Sequence, residues 1–440
     1  QALDACLGTL PDILPESVRT EYKLCGVQFA YETIHAPASR EALMQARTRL
    51  VFEEFFIFSA GLQMLRDVRC DESAVPCDIS GADAFEAALP FRLTGAQQRA
   101  IRDVLRDMAS GRPMNRLVQG DVGSGKTMIA AAAAFCAAKN GLQTAFLVPT
   151  EILARQHFAS LRALMSCFSI ETVLLTGSMP AAEKRRVKEA IASGEAKLIL
   201  GTHALLSGDV AFQSLGLVIA DEQHRFGVGQ RAALAAKGRS PHLLVMSATP
   251  IPRTLALIAY GDLDISVVDE LPPGRQTIDT FLVGERLRQR VHAFLRRQCA
   301  EGGQAYIVCP AIEEGELESL KSAEVWAQTL QSAVFPDLRV GLLHGRLKGA
   351  EKDAVMSAFA RHELDILVST TVIEVGVDVP NANVMVIENA GRFGLSQLHQ
   401  LRGRVGRGSA QSYCVLVSGN RNEQTRSEER RVGKECRSRW

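Results

Sequence analysis

The most informative part of the sequence is RLVQGDVGSGKTMIAAAAAF, residues 116–135. It begins with a short apolar run, continues through a glycine-rich turn and ends in helix-forming alanines. Glycines in such a turn let successive backbone N–H groups point inward without a Cβ clash, and the helix that follows adds the positive end of its dipole. The segment therefore predicts a P-loop that binds phosphate. Its predicted nucleotide-binding residues are Gly120, Asp121, Val122, Gly123, Ser124, Gly125, Lys126 and Thr127.

A P-loop needs a second metal carboxylate and a residue that activates water. LVIADEQH, residues 217–224, supplies both at the end of an apolar run. Asp221 is expected to bind Mg²⁺ directly or through water, together with the hydroxyl of Thr127, and Glu222 to orient or deprotonate the attacking water. Lys126 is expected to reach the β- and γ-phosphates of ATP. The sequence thus predicts ATP and Mg²⁺ as cofactors.

Arginines near the carboxyl-terminal end of the chain can complete this chemistry. QLRGRVGRG, residues 400–408, places Arg404 and Arg407 three residues apart, on one face if the segment is helical. Brought onto the nucleotide by a second domain, they would stabilise the charge on the transferred phosphate, and hydrolysis would depend on domain motion. A structural or DNA-facing arginine cluster is an equally open interpretation of this motif alone.

Composition narrows the class of protein. The chain has 440 residues, of which 47% are hydrophobic and 22% charged, as in an ordinary globular protein. Its net charge of +1 gives no sign of a nucleic-acid partner. Ten cysteines without a metal-binding spacing are expected to be reduced thiols. No apolar run approaches the roughly 20 residues that span a bilayer, so no membrane partner is expected.

The apolar pattern predicts an α/β fold of two tandem, doubly wound parallel-sheet lobes. Short apolar runs such as TAFLV, KLIL, LGLVIA and HLLVM alternate with helical segments, and the pattern restarts after DELPPGRQ with AYIVCP, RVGLLH, DILVST, VMVIENA and YCVLVS. The predicted boundaries are a helical segment at 1–88, a first lobe at 89–272, a second lobe at 277–418 and a tail at 419–440.

The two ends of the chain differ from the lobes. In the N-terminal helical segment Ser39 is a predicted N-cap. Apolar residues recur at helical spacing after it, which predicts an apolar face packed in a core, and they are Val51, Phe55, Phe58, Leu62 and Leu65. The tail is basic and has no apolar periodicity. It is interpreted as an unstructured or non-native end rather than a nucleic-acid-binding tail.

The motifs occur in the order found in superfamily-two helicases, and the chain most closely resembles the RecG family. LTGAQQ, GDVGSGKT, VPTEILARQH, LTGS, GTHAL, DEQHRFGVGQR, SATPIPRT, LHGRLKGAEKDAVMSAF, STTVIEVGVDVP and QLHQLRGRVGRG carry the resemblance, and GDLDISVVDELPPGR makes it specific. It implies RecA-like lobes. The alternative is the transcription-repair coupling factor, a double-stranded DNA translocase that shares much of NANVMVIENAGRFGLSQLHQLRGRVGRG.

The resemblance implies roles for further residues. Gln97 would read the adenine edge, with Phe91 as a stacking partner, and Gly376 and Asp378 would contact the nucleotide from the second lobe. The remaining implied positions contact DNA or couple it to the nucleotide, and they are Thr150, Thr202, His203, Ser247, Thr249 and Thr370. Hydroxyls and backbone N–H groups can hold DNA phosphates without reading sequence.

The resemblance also implies an activity and a setting. The implied protein is an ATP hydrolase and DNA helicase that moves on duplex DNA and remodels stalled forks and branched recombination intermediates. Its implied partners are branched or forked DNA and single-strand DNA-binding protein, its state is monomeric, and its location is the bacterial cytoplasm, with activity at the nucleoid. The family's N-terminal OB-fold wedge and its C-terminal hairpin have no counterpart here, so the chain is expected to be a motor core cut at both ends.

Overall fold

The computed structural model describes most of the chain, in two compact units that are treated separately below. Unit 1 takes in the described residues up to 70 together with Leu263, and unit 2 takes in the other described residues from Ser73 onward. The tail predicted at 419–440 lies outside the described residues. The described residues are 10–70, 73–221, 228–248, 263–272, 277–310, 316–370, 379–406, 408 and 410–418.

Unit 1 consists of helices. They are α1 (Glu16–Glu21), α2 (Val27–His35) and α3 (Arg40–Cys70). Ser39 caps α3 as predicted, because its Oγ accepts a hydrogen bond from the N–H of Ala42 at 3.1 Å. The side chain of Arg49 is fully buried and forms ion pairs with Asp12 and Glu53, so the buried guanidinium is held by two carboxylates.

The apolar face of α3 differs from the prediction. Val51, Phe55 and Phe58 are 46%, 50% and 42% exposed instead of lying in a core. Helical spacing reports which side chains share a face, but only a neighbouring element can bury that face. In the described part of unit 1, α3 packs mainly against the nine-residue α2, which is much shorter than the 31 residues of α3.

The first lobe of unit 2 is a seven-stranded, all-parallel sheet with helices on both faces. Its strands are β1 (Asn115–Gly120), β2 (Gln143–Leu147), β3 (Thr172–Leu175), β4 (Leu198–Gly201), β5 (Leu215–Ala220), β6 (His242–Ser247) and β7 (Asp264–Val268), in the spatial order β3-β4-β2-β5-β6-β1-β7. Its helices are α4 (Ala82–Ala87), α5 (Gly95–Ala109), α6 (Lys126–Lys139), α7 (Glu151–Ser166), α8 (Ala181–Ala192) and α9 (Val228–Ala235).

The second lobe repeats this architecture with six parallel strands. They are β8 (Ile278–Gly284), β9 (Gln304–Val308), β10 (Val340–Leu343), β11 (Ile366–Ser369), β12 (Ala382–Ile387) and β13 (Ser412–Ser418), in the order β10-β11-β9-β12-β13-β8. The helices are α10 (Arg288–Ala300), α11 (Glu316–Thr329), α12 (Gly349–Ala360) and α13 (Leu395–Arg402).

Each sheet is buried on both faces, as parallel sheets require. β5 is buried along its whole length, and separate apolar clusters lie on the two sides of each sheet. Helix α6 is surrounded by protein, because residues Ala130–Ala134 are all at most 4% exposed. A helix that is buried on all sides in this way needs small side chains, which explains why alanine dominates its sequence. The predicted fold class, two tandem RecA-like lobes preceded by helices, is confirmed.

Among the described residues, no helix has the length and apolar character that crossing a bilayer requires.

Candidate functional site: a P-loop faced by the second lobe

The predicted P-loop lies between β1 and α6. β1 ends at Gly120, the loop runs over residues 121–125, and α6 begins at Lys126. Gly125 has φ +83°, and a Cβ there would lie 2.2 Å from Nε2 of Gln97, so both backbone conformation and space require glycine. The N-terminus of α6 therefore opens onto the carboxyl edge of the sheet, where phosphate is bound in folds of this kind.

Lys126 is folded over the loop. Its Nζ donates hydrogen bonds to the carbonyl oxygens of Gly120 and Asp121, both at 2.8 Å. These carbonyls hold the ammonium group at the mouth of the glycine cradle. A cationic group at a helix N-terminus, inside a loop that needs glycine, fits the triphosphate of ATP.

Gln97 braces the P-loop in this structure. Its side chain is buried, Oε1 accepts a hydrogen bond from the N–H of Thr94 at 2.9 Å, and Nε2 donates to the carbonyl oxygen of Ser124 at 2.8 Å. Thr94 and Gln97 together cap the start of α5. Phe91 is 50% exposed and lies on the same segment. The adenine-binding role of both residues stays a prediction.

Asp221 follows the end of β5. Its N–H donates to the carbonyl oxygen of Leu147 at 3.0 Å, and its Oδ2 lies 3.3 Å from Nε2 of His157. Thr127 is half-buried in the first turn of α6. A carboxylate and a hydroxyl fit Mg²⁺, which usually keeps several waters and takes its other ligands from the substrate phosphates. Among the described residues, no group of three or more His, Cys, Asp or Glu side chains could hold a metal ion by itself.

The second lobe meets the P-loop through α13 and the turn that follows it. Gly403 lies so close to Val122 that a Cβ on the glycine would be 2.7 Å from the Cβ of the valine. His399 Nδ1 is 3.6 Å from Oδ1 of Asp121. Arg404 comes directly after Gly403 and is only 6% exposed. The structure therefore brings the segment that carries the predicted arginine against the phosphate loop.

A second contact joins the lobes at the start of α7. Ile152 packs against the apolar cluster of the second lobe. Asp353, on α12, is partly desolvated, and this burial together with the nearby charge of Glu151 raises its pKa, while Arg155 opposes the rise. The beginning of α7 is thus part of the surface between the two lobes.

The predicted DNA-contacting or coupling residues that the structure describes lie at or shortly after the carboxyl ends of strands. Thr150 caps α7, with its Oγ1 accepting from the N–H of Leu153 at 3.4 Å. Thr202, Ser247 and Thr370 are buried at 7%, 3% and 7% exposure, while His203 is exposed. Their role in DNA binding stays a prediction.

Five predicted site residues cannot be placed against this geometry. They lie outside the described residues, and they are Glu222, Thr249, Gly376, Asp378 and Arg407.

Sequence analysis missed two histidines that contact the site. His157 and His399 stand at the edges of VPTEILARQH and QLHQLRGRVGRG, but a single histidine in a motif gives no signal of its partner. Their carboxylate partners, Asp221 and Asp121, are 64 and 278 residues away along the chain, so only the fold joins them.

Comparison with known proteins places both lobes in helicase families. The family model for DEAD/DEAH box helicases matches residues 94–258, and the model for the helicase conserved C-terminal domain matches residues 286–409. Together they cover most of each lobe, including the P-loop and the arginine segment.

Curated relatives are ATP-dependent DNA helicases named RecG. The Synechocystis protein is 50% identical over 97% of this chain and 52% of its own length, and the Thermotoga maritima protein is 50% identical over 94% and 54%. The Bacillus subtilis protein is 47% identical over 96% and 62%. The chain thus spans about half to three-fifths of the length of these relatives.

Solved structures of helicases are also similar to this chain. A RecG structure bound to a three-way DNA junction superposes with a TM-score of 0.84 at 47% identity, over 98% of this chain and 57% of that one. A yeast Dbp5 structure, at 18% identity and a TM-score of 0.59, shares the fold alone. With the two parallel sheets, the P-loop and the arginine segment in place, these matches show that the chain is RecG-like and carries a DEAD/DEAH box helicase domain followed by a helicase conserved C-terminal domain.

Proposed function

We propose that this chain is an ATP-driven motor that moves on duplex DNA and remodels forked and branched DNA. One observation carries the proposal: Gly403 and His399 of the second lobe contact Val122 and Asp121 of the P-loop. A nucleotide bound there would lie between two lobes, so that its hydrolysis changes their relative position.

Side chains of the first lobe bind and activate the nucleotide in this proposal. Lys126 leaves its two carbonyl partners to hold the β- and γ-phosphates, and Thr127 and Asp221 hold Mg²⁺. The metal supplies neutralisation of phosphate charge. Glu222 orients or deprotonates the attacking water. Gln97 and Phe91 recognise adenine. Gln97 also connects the adenine site to the P-loop through its hydrogen bond to the carbonyl oxygen of Ser124.

The second lobe supplies further positive charge to the bound nucleotide in this proposal. Arg404 and Arg407 stabilise the negative charge that develops on the transferred phosphate, and Gly376 and Asp378 contact the nucleotide from the same lobe. Since Arg404 follows the glycine that rests on the P-loop, opening of the lobes would remove it from the site. This supports a cycle in which turnover depends on closure.

The DNA partner is inferred from the relatives. RecG was solved on a three-way DNA junction, and this chain is 47% identical to that protein. Thr150, Thr202, His203, Ser247, Thr249 and Thr370 are the proposed DNA-contacting or coupling residues. Single-strand DNA-binding protein as a partner, the monomeric state, the bacterial cytoplasmic location and the domain boundaries at 88, 272 and 418 stay predictions.

The proposed function is tested by ATP turnover measured side by side with forked duplex, linear duplex and single-stranded DNA. We expect turnover with Mg²⁺ to be stimulated more strongly by forked and linear duplex than by single strands. Binding of ATP without multiple turnover on any of the three DNAs would instead identify a nucleotide-controlled switch.

Replacing Gly403 by alanine should uncouple the two lobes. The new Cβ would lie within 2.9 Å of two carbon atoms of Val122, so the lobes must separate to accommodate it. We expect DNA-stimulated kcat to fall by about 100-fold, the loss that a misplacement of about 1 Å can cause, with ADP affinity nearly unchanged. Gly284→Ala is the control, because a Cβ added at that position would have no other atom within 4 Å. Normal turnover in Gly403→Ala would show that closure at this contact is not required.

A further inference from the structure

Helix α7 reaches from the proposed DNA surface to the proposed metal carboxylate. Thr150 caps its N-terminus, and two turns later His157 places Nε2 at 3.3 Å from Oδ2 of Asp221. The two side chains are 16% and 15% exposed, so water competes little for this hydrogen bond. An ionised carboxylate only accepts hydrogen bonds, and the contact therefore requires the imidazole proton on Nε2.

The imidazole ring is held in place by the strand beneath it. The ring of Phe146, in β2, is fully buried, and its centroid lies 5.5 Å from that of His157 at an interplanar angle of 52°. Such a tilted aromatic pair limits rotation of the histidine ring. His157 is therefore pre-oriented toward Asp221 by packing as well as by the hydrogen bond.

The segment 147–157 is attached to Asp221 at both of its ends. Leu147 accepts a hydrogen bond from the N–H of Asp221 at 3.0 Å, and His157 contacts the carboxylate of the same residue. Thr150 lies between the two attachment points. A shift of this segment when a phosphate backbone binds at Thr150 would therefore act on Asp221 through both its backbone and its side chain.

The same segment also contacts the other moving parts of the motor. Glu151 Oε1 accepts a hydrogen bond from the N–H of Ser178 at 3.0 Å, in the LTGS turn, and Ile152 packs on the apolar cluster of the second lobe. The segment thus connects the proposed DNA surface, the second lobe and the carboxylate of Asp221.

We propose that His157 is a positioning residue for Asp221, and that segment 147–157 couples DNA binding to the metal site. The inference rests on the proposed function for the metal role of Asp221. Without this hydrogen bond the carboxylate loses a supporting partner, and such a loss weakens metal binding by about 10- to 100-fold in other proteins.

The test uses His157→Leu, which keeps apolar volume and loses the hydrogen bond, and His157→Gln, whose side-chain amide can donate in place of Nε2. Ser160→Ala is the matched control, because Ser160 is exposed on the same helix and its hydroxyl donates to the backbone carbonyl oxygens of Gln156 and His157 rather than to the imidazole. If His157→Leu does not fold, His157→Asn is used in its place. The asparagine side chain is one bond shorter than that of glutamine, so its amide is not expected to reach Asp221.

The first readout is the affinity of Mn²⁺ for the ADP complex, measured by electron paramagnetic resonance of free Mn²⁺. We expect His157→Leu to raise the Kd about 10-fold or more, with His157→Gln and Ser160→Ala close to the wild type. The second readout is the ratio of kcat with and without forked duplex, which should fall by about 2- to 30-fold in His157→Leu.

Equal Mn²⁺ affinity in wild type and His157→Leu overturns the inference, and so does equal weakening in His157→Leu and His157→Gln, which would indicate general damage to packing. A wild-type protein that binds Mn²⁺ and ADP but does not turn over ATP would refute the proposed function while leaving the Mn²⁺ comparison as a test of His157.

Discussion

Lys126→Ala is expected to lower kcat for ATP hydrolysis by about 10³-fold, the loss typical when a preorganised group that stabilises transition-state charge is removed. The lysine begins α6 and is held at the mouth of the P-loop by the carbonyls of Gly120 and Asp121. No other cation of the phosphate loop is available, since Lys126 is the only Lys or Arg between residues 117 and 138. Steady-state phosphate release with forked DNA measures the effect.

The matched control is Lys139→Ala, at the opposite end of the same helix, where Nζ lies over the ring of Phe135 at 5.7 Å. This variant should keep turnover within about 2-fold, because it changes one exposed cation–π contact. Turnover near the wild-type rate in Lys126→Ala would mean that the P-loop does not hold the reacting phosphates, and the proposed function would fail.

Arg404→Ala is expected to lower kcat by about 10³-fold or more, the effect of removing an arginine that stabilises phosphoryl transfer, while ADP affinity changes little. The reason is that ADP binding uses the first lobe, whereas Arg404 is presented by the second lobe next to the glycine that touches Val122. Turnover and fluorescent-ADP binding, measured on the same preparation, separate the two effects.

Arg361→Ala is the control for this prediction, because Arg361 directly follows α12 on the exposed surface of the same lobe and pairs with Glu363. Arg404→Lys should not restore turnover, since an ammonium group lacks the planar fork of donors. A variant with normal basal turnover that has lost only its stimulation by DNA would assign Arg404 to the DNA surface, the interpretation that the sequence motif left open.

The sequence predicted those parts of the fold whose residues are surrounded by protein. Continuous apolar runs identified ten of the strands, including all the central ones, because strands buried on both faces of a parallel sheet need apolar residues throughout. The three strands that this criterion did not identify, β3, β7 and β8, all lie at sheet edges. The apolar run of β7 is interrupted by Ser266, and that of β8 by Asp279 and Thr280.

Helical periodicity failed in a different way on α3. The spacing of Val51, Phe55 and Phe58 was correct for a helix, but burial depends on the partner and not on the spacing. Helix formation is a local property of the sequence, whereas the partner that covers an apolar face is not.

In the candidate site, too, local motifs could be predicted from the sequence and contacts between distant segments could not. The P-loop and the acidic strand end were predictable because their chemistry is local, with glycines, lysine and threonine adjacent in sequence. The contacts of His157 with Asp221, of His399 with Asp121 and of Gly403 with Val122 join distant segments. They follow from the order of strands in the sheets and from the way the second lobe meets the first.

The central claim is that one ATP site is completed by both lobes. The most direct measurement is a crystal structure of this chain with ADP, Mg²⁺ and aluminium fluoride, which imitates the phosphoryl group in transfer. If both lobes complete the site, the guanidinium of Arg404 lies within about 3 Å of a fluoride, as in a charge-assisted hydrogen bond. A fluoride contacted only by residues of the first lobe, with the Arg404 guanidinium directed away from the nucleotide, would contradict it.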